Sequence, residues 1–189
     1  MNDNTVLRAD GSNLASVLYR IQQSDEKTFL RIEAVIKNIA PYFLRFRLKQ
    51  DSYNPENIRL EWEEKESDMY LDAMSLSDGT LRFIALATVL MQPELSATVI
   101  IDEPELGLHP SAISILSSLV KQASRRAQII ISTQSVNLLN YFDADNVLVA
   151  DRIGGQSVFR RLNTDELKEW SDTYSLGDIW EKNIIGGQP

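Results

Sequence analysis

The 189-residue sequence contains no cysteine. Disulfides, thiolate-held zinc or iron–sulfur clusters and cysteine nucleophiles are therefore excluded. It contains one histidine, His109. That excludes a histidine-clustered metal centre and leaves a Ser-His-Asp triad without support. Long apolar runs are missing as well. The longest, Phe83 to Met91, is about nine residues and is broken by Thr88, whereas a membrane span needs ~20. Positive charge is scarce: 19 Lys and Arg stand against 27 Asp and Glu, for a net charge of −8. Such a chain does not hold nucleic acid through its overall field. The start, Met1-Asn2-Asp3-Asn4, is polar and acidic, unlike a signal peptide. Together with the absence of cysteine it predicts a cytoplasmic protein. No solenoid-length repeat and no low-complexity segment interrupts the chain.

What is present is ordinary in amount, with 43% hydrophobic and 24% charged residues. That is enough to bury a core in one domain or one and a half. Ser12 reads as the cap of a first helix with Leu14, Val17, Leu18 and Ile21 at helical spacing. A second helix is predicted from about Asp25 to Ala40, with Phe29, Ile32, Val35 and Ile36 inward and Pro41 as its stop. Leu44, Phe46 and Leu48 then alternate with Arg45, Arg47 and Lys49. After a loop at Asn54-Pro55, Ile58, Leu60 and Trp62 alternate with Arg59, Glu61 and Glu63. The pattern predicts a β-hairpin whose glutamates lie across from the cations. On that pairing the basic stripe is neutralised within the sheet; nucleic acid stays open as a partner, but charge does not support it.

From Ser77-Asp78-Gly79 a very apolar helix runs to about Met91, with Pro93 just beyond. Thr98–Ile101 is a short apolar strand that ends in Asp102-Glu103-Pro104. His109-Pro110 opens another helix with Ile113, Leu116, Leu119 and Val120 inward. Ile129–Ser132 and Asn146–Ala150 are further strands, and Val158–Leu162 returns through Gly154-Gly155. Strand, helix, strand, helix, strand is the rhythm of a parallel sheet. The strands from 98 and from 129 lack alternation, which predicts burial on both faces. The tail, capped by Thr164 and carrying Leu167, Trp170, Tyr174, Ile179 and Trp180, is expected to fold over the sheet edge, with a frayed end from Gly186-Gly187 to Pro189.

Three places carry chemistry. Asp102 and Glu103 are adjacent carboxylates at the C-terminal end of an apolar strand, where open α/β sheets bind ligands. Asp102 is a candidate Mg²⁺ ligand, directly or through water, and Glu103 a candidate base for an attacking water. Ser77, Asp78 and Gly79 lie at a helix N-terminus, which offers free N–H groups and the positive end of the dipole to a phosphate. The alternative is that Ser77 caps the helix and Asp78 complements its dipole. Gln134 follows the strand from 129 and can donate to a phosphate, while Thr133 or Ser135 could cap the next helix.

Gly79, Asp102 and Gln134 follow one another at intervals of 23 and 32 residues. That order and spacing resembles the C-terminal half of an ABC-type ATPase head of the SMC/RecF-like branch. Leu76-Ser-Asp-Gly-Thr80 resembles the ABC signature, usually Leu-Ser-Gly-Gly-Gln. Thr98 to Glu103 resembles Walker B with its catalytic glutamate, and Glu105-Leu-Gly-Leu-His-Pro110 sits where the D-loop sits. Gln134 holds the switch position, at which most such ATPases carry His. Glutamine can donate to a phosphate but cannot shuttle a proton. The resemblance covers about residues 70–150. Asp10-Gly-Ser-Asn-Leu14 and Gly186-Gly-Gln-Pro189 are similar to the flanks of the same ATPases.

The resemblance implies a partial P-loop NTPase (ABC-head) parallel sheet flanked by helices, with an N-terminal helical and β-hairpin segment. It divides the chain into an arm or lobe segment (1–75), an ATPase core portion (76–162) and a helical tail (163–189). It implies ATP and Mg²⁺ as cofactors, with Asp102 for the metal, Glu103 and Gln134 as catalytic residues, and Ser77, Asp78 and Gly79 on the nucleotide. It implies a head dimer working in DNA-related or defence processes. One family part is missing. No Gly-x-x-x-x-Gly-Lys-Ser/Thr occurs, and no lysine follows a glycine. The chain therefore reads as the portion of a head that needs a Walker A-bearing half, or a second head, as partner. Two rivals stand beside this reading: a non-catalytic module that docks an intact ATPase, and a Mg²⁺-dependent phosphoesterase on Asp102 and Glu103, which a third acid would favour, though the one close acid, Glu105, sits on a turn.

Overall fold

The computed structural model describes residues 6–51, 57–67 and 69–187. The predicted Asn54-Pro55 loop, residues 1–4 and Pro189 lie outside the described residues. Contacts divide the chain into two units. One runs up to Ile100 and includes Leu106–Ile130; the other is Ile101–Glu105 with the residues from Ile131 onward.

In the first unit, helices α1 (Leu14–Ser24) and α2 (Glu26–Ile39) pack on each other and on strands β1 (Phe43–Gln50) and β2 (Ile58–Glu64). Val17, Leu18, Ile21, Ile32 and Ile36 of the predicted stripes are fully buried, whereas Val35 is only half-buried and Glu33 takes an inward place. Asp25 caps α2 by accepting from the Thr28 N–H. Ser12 is not the cap of α1. Asn13 holds that position, and its side chain is drawn away to Val6 and Arg8, pinning the incoming chain.

Strands β1, β2 and β3 (Tyr70–Asp72) form an antiparallel sheet in that order. Register sets Arg45 opposite Glu63 and Arg47 opposite Glu61. The first pair closes to 2.7 Å, and the Arg47 guanidinium also lies 3.5 Å over the Tyr70 ring. Arg45 and Arg47 are thus matched within their own sheet, whereas Lys49 lies opposite Arg59. Leu44 does not face inward. The ladder slips between Phe43 and Arg45, so Phe43 is buried and Leu44 is exposed. The buried Glu33 carboxylate accepts the Phe46 N–H at 2.7 Å beside the slip.

Helix α3 (Asp78–Met91) is apolar on nearly all sides, as a helix enclosed by others must be. It contacts α1, α2 and α4 (Pro110–Ala123). Phe83, Ile84, Ala87 and Leu90 are buried on it, and Leu116, Leu119, Val120 and Ala123 on α4. Arg126 closes the end of α3 by donating to the Leu90 and Gln92 carbonyls at 2.9 and 3.1 Å. His109 caps α4, its Nδ1 facing the Ser111 N–H and hydroxyl, with Pro110 following.

Strands β4 (Thr98–Asp102) and β5 (Gln128–Ser132) pair with each other. The Gln128 N–H reaches Ala97 O and the Glu103 N–H reaches Ser132 O, so the pairing advances the same way along both strands. This is the expected parallel pair. Burial on both faces is not observed: Ile100 is 73% and Ile130 45% exposed, since one face of the pair has no covering layer among the described residues.

In the second unit, β6 (Leu148–Ile153) pairs antiparallel with β7 (Gln156–Arg161), not as a third parallel strand. The Gly154-Gly155 turn has φ of +57° and +84°, the left-handed pair a two-residue hairpin requires. The hairpin packs with Ala144, Leu162, Leu167, Ile179 and Ile185. Asn163, not Thr164, caps the turn after β7; Thr164 instead donates its hydroxyl to Asp145. The expected frayed end is pinned at Gly187, whose N–H donates to Asp151 at 2.7 Å.

Candidate functional site

The signature-like turn belongs to the first unit. Leu76 is buried, and Ser77 and Asp78 are exposed at the start of α3. The Ser77 hydroxyl oxygen accepts from the Thr80 N–H at 3.2 Å and lies 2.8 Å from the Thr80 hydroxyl. Asp78 is in the first turn, where it complements the dipole. Gly79 has a structural cause that the sequence did not reveal. A Cβ there would lie 2.2 Å from the Gly107 carbonyl oxygen, and Gly107 itself has a φ of +75°. The close approach that needs a glycine here is thus made by protein backbone, the Gly107 carbonyl.

The carboxylate turn belongs to the second unit. Asp102 is exposed at the end of β4 and accepts a short hydrogen bond from the Ser132 hydroxyl. Glu103 follows, half-buried, with a φ of +43°. A non-glycine residue in the left-handed region is strained and persists only where its surroundings hold it. Here the Glu103 N–H is fixed to Ser132 O at 2.9 Å and the next residue, Pro104, is buried. Glu105 is only 8% exposed. Its Oε1 accepts from the Thr133 hydroxyl at 2.5 Å, and its Oε2 is buried with no hydrogen-bond partner among the described residues. Burial pushes the Glu105 carboxyl above the ordinary carboxylate range, the Thr133 bond opposes this, and the neighbouring Glu103 carboxyl adds to the rise.

Gln134 is exposed in the loop directly after β5, between Thr133 and Ser135. Ser135 caps α5 (Val136–Leu139) by accepting from the Leu138 N–H. Parallel pairing therefore brings Asp102, Glu103 and the segment carrying Gln134 to the same ends of β4 and β5. One exposed carboxylate beside one serine hydroxyl suits Mg²⁺, which keeps most of its waters and asks for one or two protein carboxylates. Among the described residues no three acids or histidines group as a metal cage. Glu105, the third acid of the phosphoesterase reading, is turned onto Thr133. Sequence reasoning missed Ser132 and Thr133 as partners of these acids. Their one signal is that hydroxyl residues end a strand beside an acid-ended strand.

A family model described as "AAA domain, putative AbiEii toxin, Type IV TA system" matches residues 5–140. The chain belongs to that family. Among curated relatives of this AAA-domain chain, the Old nuclease of Escherichia phage P2 is 30% identical over 120 residues. That match covers 57% of this chain and 20% of the nuclease. The phosphate import ATP-binding protein PstB 3 of Streptococcus pneumoniae serotype 4 is 30% identical over 116 residues, 61% of this chain and 40% of that protein. The chain thus spans between a fifth and two fifths of the length of these relatives.

Solved structures share the fold. A structure from work on ATP-driven dimerisation and DNA-stimulated activation of SMC ATPases aligns with a TM-score of 0.58 at 16% identity, covering 82% of this chain and 95% of that one. An SMC head bound to the C-terminal winged-helix domain of ScpA aligns with a TM-score of 0.59 at 17% identity, covering 82% and 51%. The fold is that of P-loop NTPase heads of the SMC type, and the family is one of AAA/ABC-type ATPases. Among the described residues, no helix is long and apolar enough to cross a membrane.

Proposed function

We propose that this AAA-domain chain supplies the signature and Walker B parts of a composite ATP site. The observation that carries the reading is the pair Asp102-Glu103 at the end of a parallel strand, the first tied to Ser132 and the second held at positive φ. Asp102 with Ser132 would hold Mg²⁺, which when bound neutralises charge on the phosphates. The Glu103 carboxylate takes a proton from the attacking water. Gln134 donates its amide to the γ-phosphate. Ser77, together with the Asp78 and Gly79 backbone, faces the γ-phosphate of a nucleotide held by a second head. The core portion is 76–162, with 1–75 as a lobe beside it and 163–189 as the tail. Residues that cradle the α- and β-phosphates come from a Walker A-bearing half, because none of this chain's motifs supplies them.

Two measurements test this. Calorimetry with Mg-ATP on the isolated chain is expected to show no binding at tens of micromolar. A sub-micromolar affinity would refute the need for a Walker A partner. In the assembled ATPase, Glu103→Gln is expected to lower turnover by about 10²–10⁴-fold and to let a nucleotide-bound dimer accumulate. Unchanged turnover would remove Glu103 from the mechanism.

A further inference from the structure

The turn after β4 and the loop after β5 are joined by more than strand pairing. The Thr133 hydroxyl serves both sides at once: it donates to Glu105 Oε1 at 2.5 Å, and its oxygen accepts from the Ser135 N–H at 2.9 Å. The Ser135 hydroxyl then accepts from Leu138, starting α5. One residue away, the Glu103 N–H is bonded to Ser132 O. These links close a ring through Glu103, Pro104, Glu105, Thr133 and Ser132. Inside the ring Pro104 and Glu105 are buried, whereas Gln134, bracketed between two bonded neighbours, is exposed. Glu105 is buried, and one of its oxygens has no hydrogen-bond partner among the described residues. A buried carboxyl so placed costs stability unless something requires it there.

We infer that Thr133 and Glu105 are positioning residues: their hydrogen bond holds the Glu103 turn and the Gln134 loop in one fixed frame. The inference rests on the roles proposed above for Glu103 and Gln134. Neither Thr133 nor Glu105 touches substrate; each acts through the backbone it fixes. Loss of the Thr133 hydroxyl frees the Ser135 amide and removes the bond that ties Oε1 to the opposite loop. Displacement of a base by an ångström is enough to cost roughly 10²-fold in rate.

The test compares Thr133→Val, which keeps shape and loses the hydroxyl, with Thr133→Ser, which keeps the hydroxyl. The first readout is amide hydrogen exchange by NMR on this chain. Thr133→Val is expected to speed exchange at Ser135 at least ~10-fold, by loss of a bond worth about 1.4 kcal/mol, while amides of β1 and β2 stay unchanged. Thr133→Ser is expected to leave Ser135 protected. The second readout is turnover in the assembled ATPase. Thr133→Val is expected to lower kcat about 10–100-fold with KM nearly unchanged, and Thr133→Ser to restore it. Thr133→Ala stands in if the valine variant does not fold. Unaltered Ser135 exchange, or unaltered kcat where Glu103→Gln abolishes turnover, overturns the positioning role and leaves the Glu103 assignment standing. Unaltered turnover in Glu103→Gln itself sinks the Glu103 assignment and this inference with it.

Discussion

The turn at Ser77 and the turn at Glu103 are both short polar links beside apolar elements, yet they are built on opposite principles. At Ser77 every residue has a sufficient cause in the folded chain. Ser77 caps, Asp78 suits the dipole, and Gly79 makes room for the Gly107 carbonyl. At Glu103 local causes run the other way. A glutamate sits at a φ of +43°, and a buried acid two residues later has an oxygen with no partner. A site that folding explains completely says little about ligands. A site that folding would rather not have is the stronger pointer to chemistry.

That contrast can be broken by substitution. Glu103→Gly carries the largest effect. It relieves the left-handed strain, so the chain should gain up to about 1 kcal/mol in urea denaturation. The assembled ATPase should meanwhile lose about 10²–10⁴-fold in turnover. A chain destabilised by that change would mean the glutamate is there for folding. Next comes Gly79→Ala. Its methyl group would meet backbone at 2.2 Å, so a loss of roughly 1–3 kcal/mol is expected despite alanine's helix propensity. No loss would show that the Gly107 loop yields easily.

Ser77 sharpens the comparison at smaller cost. Ser77→Ala should lose about 0.5–2 kcal/mol, and Ser77→Asp almost nothing, because aspartate caps as well. If Ser77 also faces a γ-phosphate, Ser77→Asp abolishes ATP-driven dimerisation at an unchanged melting temperature. Size-exclusion chromatography with ATP on a hydrolysis-deficient background reads this. Normal dimers would return the turn to pure capping.

The smallest effect is at Glu33. Burial raises its carboxyl above the ordinary value, and the Phe46 N–H bond opposes the rise. A raised carboxyl contributes stability that is whole below the unfolded value of ~4.3 and fades as pH climbs through the folded one. Glu33→Gln keeps an acceptor for Phe46 and should reduce that decline, leaving the variant about 0.5–1 kcal/mol more stable at pH 7. Glu105, also raised, keeps part of the slope. Urea midpoints across pH 4–7 check it, and an unreduced slope would exclude Glu33 as its source.

Much of this was legible in the sequence. Apolar spacing identified α1 and α2, and charge alternation identified a hairpin with Glu61 and Glu63 across from the cations of β1, because both patterns are set by local periodicity. The places of Ser77 at a helix start and Asp102 at a strand end were legible too, from the apolar runs they border. Misreadings arose where a distant group decided a local outcome. Asn13 was taken from capping by Val6 and Arg8, Leu44 was turned out at the slip that Glu33 adjoins, and β6 chose β7 over a parallel neighbour. The Gly79–Gly107 approach and the Thr133–Glu105 bond each join residues 28 apart in sequence, a separation at which no spacing rule operates.

The bare face of β4 and β5 bears on how the chain can be handled. Ala97–Ile101 and Gln128–Ser132 are β-branched, almost uncharged and free of proline, the composition that stacks into intermolecular sheets. With Ile100 and Ile130 facing water, two copies present each other with a template, and light scattering is expected to rise steeply with concentration. Lysine at both positions would leave the inward residues in place while setting like charges on the template. Colloidal behaviour thereby becomes a sensitive gauge of whether that face is covered, usable before any nucleotide is added.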